Sequence, residues 1–371
     1  MSKITLLAGG DVCPTKESWE TFFAGRAGAL LQGGLEPVWR EADFRVFNLE
    51  TPLSDKETPI EKCGPALRAP IPCVKGLASL SPDGVGLSNN HILDQGAQGL
   101  DSTIRALEQA GIPHFGAGPS LQQADRPLML EKDGVRICLY AVCEREFSWA
   151  DAHGPGANPF DALEIGERIR RLKKECRHLV VLYHGGREYY PYPSPGLQKR
   201  CRKLADWGAD AVLCQHSHCV GSYERYGGGV LVYGQGNFLF DMEDEPCFDT
   251  GLLVRLTFEA GGVRESFIPI RRQAHGAALA AGEDGEAILR GFFQRSEEIL
   301  EPGFLGDRYH AYAMEQRERM LKVFLSGNLF LRGLNLLYGR RPSRVYSRAA
   351  QLAIKNSLQC EALNELLREG L

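Results

Sequence analysis

Short apolar runs alternate with helix-patterned segments from the N-terminus to about residue 270, and this alternation restricts the fold more than any other feature. The runs Ile4–Ala8, Arg45–Asn48, Val85–Ser88, Arg136–Val142, Leu179–Tyr183, Ala211–Gln215, Val230–Gly234 and Leu252–Phe258 have the length and composition of strands. Between them, Gly99–Ala110 places Leu100, Ile104 and Leu107 at helical spacing and stops at Gly111-Ile112-Pro113. Ala162–Cys176 and Gly196–Trp207 are further helical patterns, the latter closed by Gly208 as a helix C-terminal glycine. Strands alternating with helices specify an α/β fold. Val230–Phe258 reads as paired strands, so the expected sheet is mixed. Ser54–Cys73 and Gly185–Pro195 read as loops, the second an aromatic and proline wall.

Past about residue 285 the pattern becomes helical throughout, in EAILRGFFQRSEEILE, YHAYAMEQRERMLKVFL and YSRAAQLAIKNSLQCEALNELLRE. Residues 305–355 hold ten Lys/Arg against three Asp/Glu. The expected organisation is an α/β domain over 1–272 and a helical appendage over 273–371. The basic helices read either as a cap packed on the core or as a docking surface for a partner or an anionic membrane face.

Composition narrows the function classes. A chain of 371 residues, 43% hydrophobic and 24% charged, can bury a sizeable core. Its net charge of −4 supplies no global field toward nucleic acid. Eleven cysteines are scattered with no CxxC pair, and an odd number cannot all pair within one chain. Reduced, buried thiols in a cytoplasmic protein are expected. MSKITLLAGGD lacks the basic and apolar regions of a cleaved signal, and no run approaches the roughly 18 apolar residues of a membrane span.

Polar clusters with metal-ligand chemistry follow five of the strand-like runs. They are Asp11, Asn48-Leu49-Glu50, Asn89-Asn90-His91, His184 and His216-Ser217-His218. Ligands collect beyond the carboxyl ends of strands in α/β sheets, and mixed imidazole and oxygen donors suit divalent transition metals. Gly9 and Gly10 are expected to turn the chain tightly and present Asp11. Asp94 either orients His91 or caps the following helix. His216 and His218, alternate residues on an extended chain, aim at neighbouring metals. His114, His153, His178, His275 and His310 read as structural. Cys13 lies near Asp11 as a ligand or, by default, a small buried hydrophobe. No G-x-S-x-G elbow or P-loop is present, so metal-dependent hydrolysis leads.

Gly10-Asp11, Asn48-Leu49-Glu50, Asn89-Asn90-His91, HGGREYYPYPSP from His184, Gln215-His216-Ser217-His218 and Gly236-Asn237-Phe238 together resemble the CapA family of capsule and poly-γ-glutamate synthesis. The resemblance covers residues 1 to about 245. It implies a calcineurin-like metallophosphoesterase fold, a four-layer α-β-β-α sandwich. It implies two divalent metal ions, Mn, Fe or Zn. One takes Asp11, Glu50 and His218; the other takes Glu50, Asn90, His184 and His216. The two cations would hold and activate a hydroxide for in-line displacement at phosphorus. His91, with Asp94, is the implied proton donor to the leaving group. Asn89, Arg187, Tyr189, Tyr190 and Asn237 are assigned to substrate, with Tyr192 beside them.

Three positions depart from the wider phosphoesterase pattern: Asp11-Val12-Cys13 replaces Asp-x-His, Glu50 replaces a bridging Asp, and Gln215 replaces a glycine. The first leaves the Asp11/His218 site one histidine short. The functional expectation is a cytoplasmic phosphoesterase acting on a small-molecule or polymer-precursor substrate of capsule synthesis, with no nucleic-acid partner. Amide chemistry on a γ-glutamyl or sugar amide uses the same motif. An accessory subunit of a synthesis complex, contacting partner or membrane through the basic helices, is the non-catalytic alternative.

Overall fold

Side-chain alternation along the strands decides the layers of this computed structural model, which describes residues 3–241, 246–323 and 329–359. On the strand Ile4–Cys13, Ile4, Leu6 and Ala8 join one core while Leu7 joins another. On the strand His178–His184, Val180 and Leu182 enter the same core as Leu6, while Leu179, Val181 and Tyr183 enter a third. A period of two therefore gives each sheet two buried faces.

The outer face of the first sheet is covered by Trp39, Leu77, Leu100 and Leu107, carried on the helices Leu35–Arg40, Val74–Ser79 and Gly96–Gln109. Ile169 and Leu172 on the helix Ile165–Glu175, with Leu197, Cys201 and Leu204 on Pro195–Asp206, cover the second. The result is the four-layer α-β-β-α sandwich.

Among the described residues the larger sheet has nine strands. Ile4–Cys13 lies at its centre, parallel to Phe44–Leu49 on one side and antiparallel to Thr250–Glu259 on the other. Gly84–Gly86 and His114–Phe115 continue the parallel half. Asn237–Phe240 pairs in parallel with the far end of Ile4–Cys13. The second sheet has six strands among the described residues, and its parallel centre is Val135–Cys143, His178–His184, Ala211–Gln215 and Gly229–Val232. Both sheets are mixed.

The chain divides after Leu305 into two units, not at the expected boundary of 272/273. Two elements account for the difference. Gly276–Leu279 pairs with Gly262–Gln273 as a further strand of the large sheet. The helix Gly282–Glu298 then inserts Phe292 into the core between the sheets. The second unit is helical. Within it, Arg317 donates to Gln351 at 2.7 Å and the Ser343 N–H donates to Glu318 at 3.0 Å. Residues 324–328, inside the apolar basic stretch read from the sequence, and the end of the last helical pattern beyond 359 lie outside the described residues. Among the described residues, no helix is long and apolar enough to cross a membrane, and the described cysteines are all free thiols.

Candidate metal centre

Parallel strands place their carboxyl ends side by side, and the register sets the partners. Asp11 stands opposite Asn48 on one neighbour and Asn237 on the other, while His184 stands opposite Gln215 and Cys143 in the second sheet. Asp11 does not follow a turn, as its two glycines suggest. The strand runs through Gly9, Gly10 and Asp11 to Cys13, with register shifts on either side of Asp11. Such irregularities re-aim a side chain. The glycines serve close approach instead: a Cβ on Gly10 would lie 2.1 Å from the Gly236 carbonyl oxygen, and one on Gly9 would lie 2.5 Å from the Phe238 ring.

His216 and His218 are likewise not on extended chain. Both adopt left-handed backbone, at φ 84° and 55°, as does Tyr189 at 58°. Non-glycine residues held there carry strain that surrounding contacts must offset, and such residues cluster at functional sites. One offsetting contact is the His216 N–H donating to Asp11 Oδ2 at 3.0 Å; another is the Tyr189 N–H donating to Ser217 O at 2.9 Å.

The sequence-identified ligands converge into two overlapping constellations, Asp11/Glu50/His218 and Glu50/His184/His216, each with its ligand atoms within 4.8 Å of one another. All five residues are buried. Glu50 is shared, and both of its carboxylate oxygens are buried without a hydrogen-bond partner. Its Oε1 lies 3.2 Å from His184 Nε2, and that nitrogen is also 2.9 Å from Asn90 Oδ1. His216 Nδ1 is a third buried atom without a partner. Orphaned buried acceptors are costly, and a divalent cation satisfies carboxylate and imidazole donors together. The residues present therefore fit a metal. Cys13 belongs to neither constellation. It packs with Phe240 and Phe248, and burial pushes its thiol well up, so it is the small buried hydrophobe.

Electrostatics point the same way. Burial first, then the charge of Glu50, raises Asp11 from 3.8 to about 7. Burial raises Glu50 from 4.5 to about 8, with Glu188 also pushing it up. Burial holds His184 down at about 4 and His218 at about 3, and it pushes His216 well below its ordinary value. Acids pushed up and imidazoles pushed down both express the cost of charge in this dry site, which a cation reverses for the acids.

Supporting amides hold the ligands. Asn48 donates to Asp11 Oδ1 at 2.7 Å. Asn89 donates to Asn48 Oδ1 at 3.1 Å and to Leu49 O at 2.8 Å, and it accepts the His91 N–H at 3.1 Å. Asn237 Oδ1 lies 2.9 Å from His218 Nδ1. Asn89 and Asn237, expected at the substrate, thus fasten the ligands. Arg187 stands near enough to His216 for its charge to press on that imidazole. The Tyr189 ring lies 5.9 Å from His218, and the buried Tyr190 ring packs 5.9 Å from Tyr192.

His91 Nδ1 is 2.5 Å from Asp94 Oδ2. Asp94 does not cap the next helix, whose N-cap is Gln95. It accepts instead from His91, from Lys62 Nζ at 2.6 Å and from the Leu67 N–H at 2.6 Å. Lys62 is nearly buried and also lies 5.0 Å from the Phe147 ring centre. Lys62 sits in the Ser54–Cys73 excursion, and nothing in the sequence singled it out. Glu146 was also missed. Its Oε2 is 3.3 Å from Asn90 Nδ2 and 3.8 Å from His216 Nε2. The signal was available, because Glu144-Arg145-Glu146 follows the end of another parallel strand, Val135–Cys143.

Residues 5–242, which contain every residue of this centre, match the bacterial capsule synthesis protein family PGA_cap. The chain belongs to this family. It is 30% identical over 219 residues to the PGA biosynthesis protein CapA of Bacillus subtilis (strain 168), covering 56% of each chain. It is 30% identical over 217 residues to the capsule biosynthesis protein CapA of Bacillus anthracis, covering 56% of this chain and 53% of that one. A probable polyglutamine synthesis accessory protein of Mycobacterium tuberculosis is 29% identical over 214 residues, 54% of this chain and 56% of its own. The chain spans about half the length of the curated relatives it matches. Among solved structures, Haemophilus influenzae NAD nucleotidase aligns with a TM-score of 0.44 at 13% identity, covering 78% of this chain and 62% of its own. A hypothetical protein from Thermus thermophilus aligns at 0.47 and 15% identity, covering 73% of this chain and all of its own.

Proposed function

We propose that this family member is a divalent-metal-dependent phosphoesterase acting on a precursor of capsule polysaccharide or poly-γ-glutamate. The carrying observation is Glu50: a wholly buried carboxylate, both oxygens without hydrogen bonds, standing where the two constellations overlap. Asp11, Glu50 and His218 would hold one cation, and Glu50, Asn90, His184 and His216 the other. A bound pair of divalent cations supplies charge stabilisation for an attacking oxygen and for the oxygens of a phosphoryl group.

The remaining chemistry belongs to the chain. Asp94 holds the Nδ1 side of His91, which sets the ring's tautomer and leaves the other nitrogen to exchange a proton with a leaving oxygen. Lys62 matches the charge of Asp94 inside the protein. Arg187 offers a planar cation to an anionic substrate group. The buried ligand cluster keeps bulk water away from these charges and strengthens their effect.

The relative named as an accessory protein favours a second reading, in which the metal site is structural and the chain supports a synthesis complex. The Lys62–Asp94–His91 chain argues against it, because a structural site has no use for an oriented imidazole beside it. The test is metal analysis of the purified protein followed by release of phosphate from aryl phosphate mono- and diesters. Release should fall by roughly 10²–10⁴-fold in His91→Ala with metal content unchanged. Bound metal with no phosphate release would favour the accessory reading, cleavage of γ-glutamyl amides alone would move the activity to amide bonds, and protein that neither holds nor takes up metal would refute both hydrolase readings.

A further inference from the structure

The second unit contains eleven Lys/Arg and six Asp/Glu, and its basic residues are concentrated in the middle. From Arg319 to Gln359 the sequence contains eight Lys/Arg and no Asp or Glu, in a chain whose net charge is −4. Within that stretch the helix Leu329–Leu337 exposes large apolar side chains. Phe330 is 72% and Leu337 82% exposed, and seven positions, or two turns, put them on one face. Leu336 at 63% and Tyr338 at 47% extend the apolar end of the helix. Arg340, Arg341, Arg344 and Arg348 follow at once, all exposed. The helix Pro342–Val345 is set by a buried Pro342 and by the Ser343 contacts to Glu318, so the arginines are carried on ordered chain.

We propose that this face docks on an anionic lipid bilayer, with Phe330, Leu336 and Leu337 entering the headgroup boundary and Arg340, Arg341 and Arg344 pairing with lipid phosphates and carboxylates. Exposed leucine and phenylalanine beside arginines are poorly placed in water and well placed at an interface, where apolar tips enter the acyl boundary and guanidinium groups stay among headgroups. The Tyr338 ring has the amphipathic character suited to the same depth. A basic stretch attracts an acidic leaflet, and the carboxylate placed against it, Glu318, is engaged by Ser343. Attachment of this kind is peripheral and reversible, and among the described residues no helix is long and apolar enough to cross a bilayer.

The test uses the whole 371-residue chain and sedimentation with vesicles of phosphatidylcholine alone or with about 30% phosphatidylserine. The protein should sediment with the anionic vesicles at low salt, and binding should weaken as salt rises. Arg340→Glu/Arg341→Glu/Arg344→Glu should lose more than the roughly fivefold per arginine that simple charge removal costs. Phe330→Ser/Leu337→Ser should also reduce binding, with helical circular dichroism unchanged in both variants. Failure of the unaltered protein to sediment with anionic vesicles at low salt overturns the proposal whatever the variants do. So does retention by soluble poly-glutamate but not by vesicles, which would make the face a polyanion site. Binding indifferent to Phe330→Ser/Leu337→Ser overturns the insertion of the apolar face.

Discussion

Asp11 Oδ2 accepts the main-chain N–H of His216 at 3.0 Å across 205 positions of sequence. One residue belongs to the central strand of the large sheet and the other to the loop leaving the second sheet, so this bond joins the sheets at the candidate metal centre. The other Asp11 oxygen accepts from Asn48. These two bonds fix the orientation of the carboxylate within the candidate site.

Asp11→Asn should keep the fold and lose the cation site. The amide oxygen can still accept from His216, but the new NH₂ group then faces the Asn48 donor, and the negative charge is gone. Titration calorimetry with Mn²⁺ should show at least one site weakened beyond the roughly 10–100-fold that outer-shell changes cost. The thermal stabilisation conferred by Mn²⁺ should shrink in parallel. Unchanged metal stoichiometry and affinity would remove Asp11 from the ligand set.

A pH effect is expected at a second buried group. His178 begins its strand with both ring nitrogens buried and without hydrogen-bond partners, its ring 4.7 Å from that of Phe258. Burial lowers its proton affinity below the ordinary 6.5. A depressed folded-state value contributes stability above about pH 6.5 that is lost as pH falls toward that value, because the unfolded chain takes up the proton first. His178→Phe keeps the ring packing and removes this loss. Urea midpoints between about pH 7.5 and 5 should fall less for the variant than for the parent. Parallel curves would show that His178 is not responsible.

The layers were legible because period-two apolar runs and their intervening helices are local patterns, and Ala211–Gln215 forms as read. Glu50, His184, His216 and His218 were legible because each ends or follows a buried strand, and Asp11 because it stands near the end of one, where a carboxylate or imidazole is costly without a ligand. Asn237 and Asn89 were recognisable as polar but not as fasteners, since their partners His218 and Leu49 lie 19 and 40 positions away. Lys62 carried no local signal at all; only the path of its loop brings it to Asp94. The break at 272/273 followed composition, while the unit ends at Leu305 because Phe292 is needed to fill the inter-sheet core.

Lys62 and Asp94 should behave as an energetically coupled pair. The Lys62 side chain is 3% exposed and that of Asp94 is wholly buried. Lys62→Met leaves a buried carboxylate without its ammonium, which costs about 3–5 kcal/mol in comparable settings. Asp94→Asn in the same chain should recover a large part of that loss. A double-mutant cycle by urea unfolding checks this, and additive single effects would show that the two residues do not interact.

Gly10→Ala tests the close approach that aims Asp11. A Cβ at this position meets the backbone oxygen of Gly236 at 2.1 Å, and a backbone atom cannot swing aside as a side-chain tip can. The strand Asn237–Phe240 must therefore move away from Ile4–Cys13, taking with it the Asn237 that holds His218. Overpacking of this kind costs about 1–3 kcal/mol or more. The variant should show a lower melting temperature and weaker Mn²⁺ binding together. Gly34→Ala, where nothing lies within 4 Å of the added carbon but φ is +83°, should lower stability through backbone strain alone and leave Mn²⁺ binding intact. Equal loss of metal binding in both variants would mean that the glycine at position 10 acts through global stability and not through the aim of Asp11.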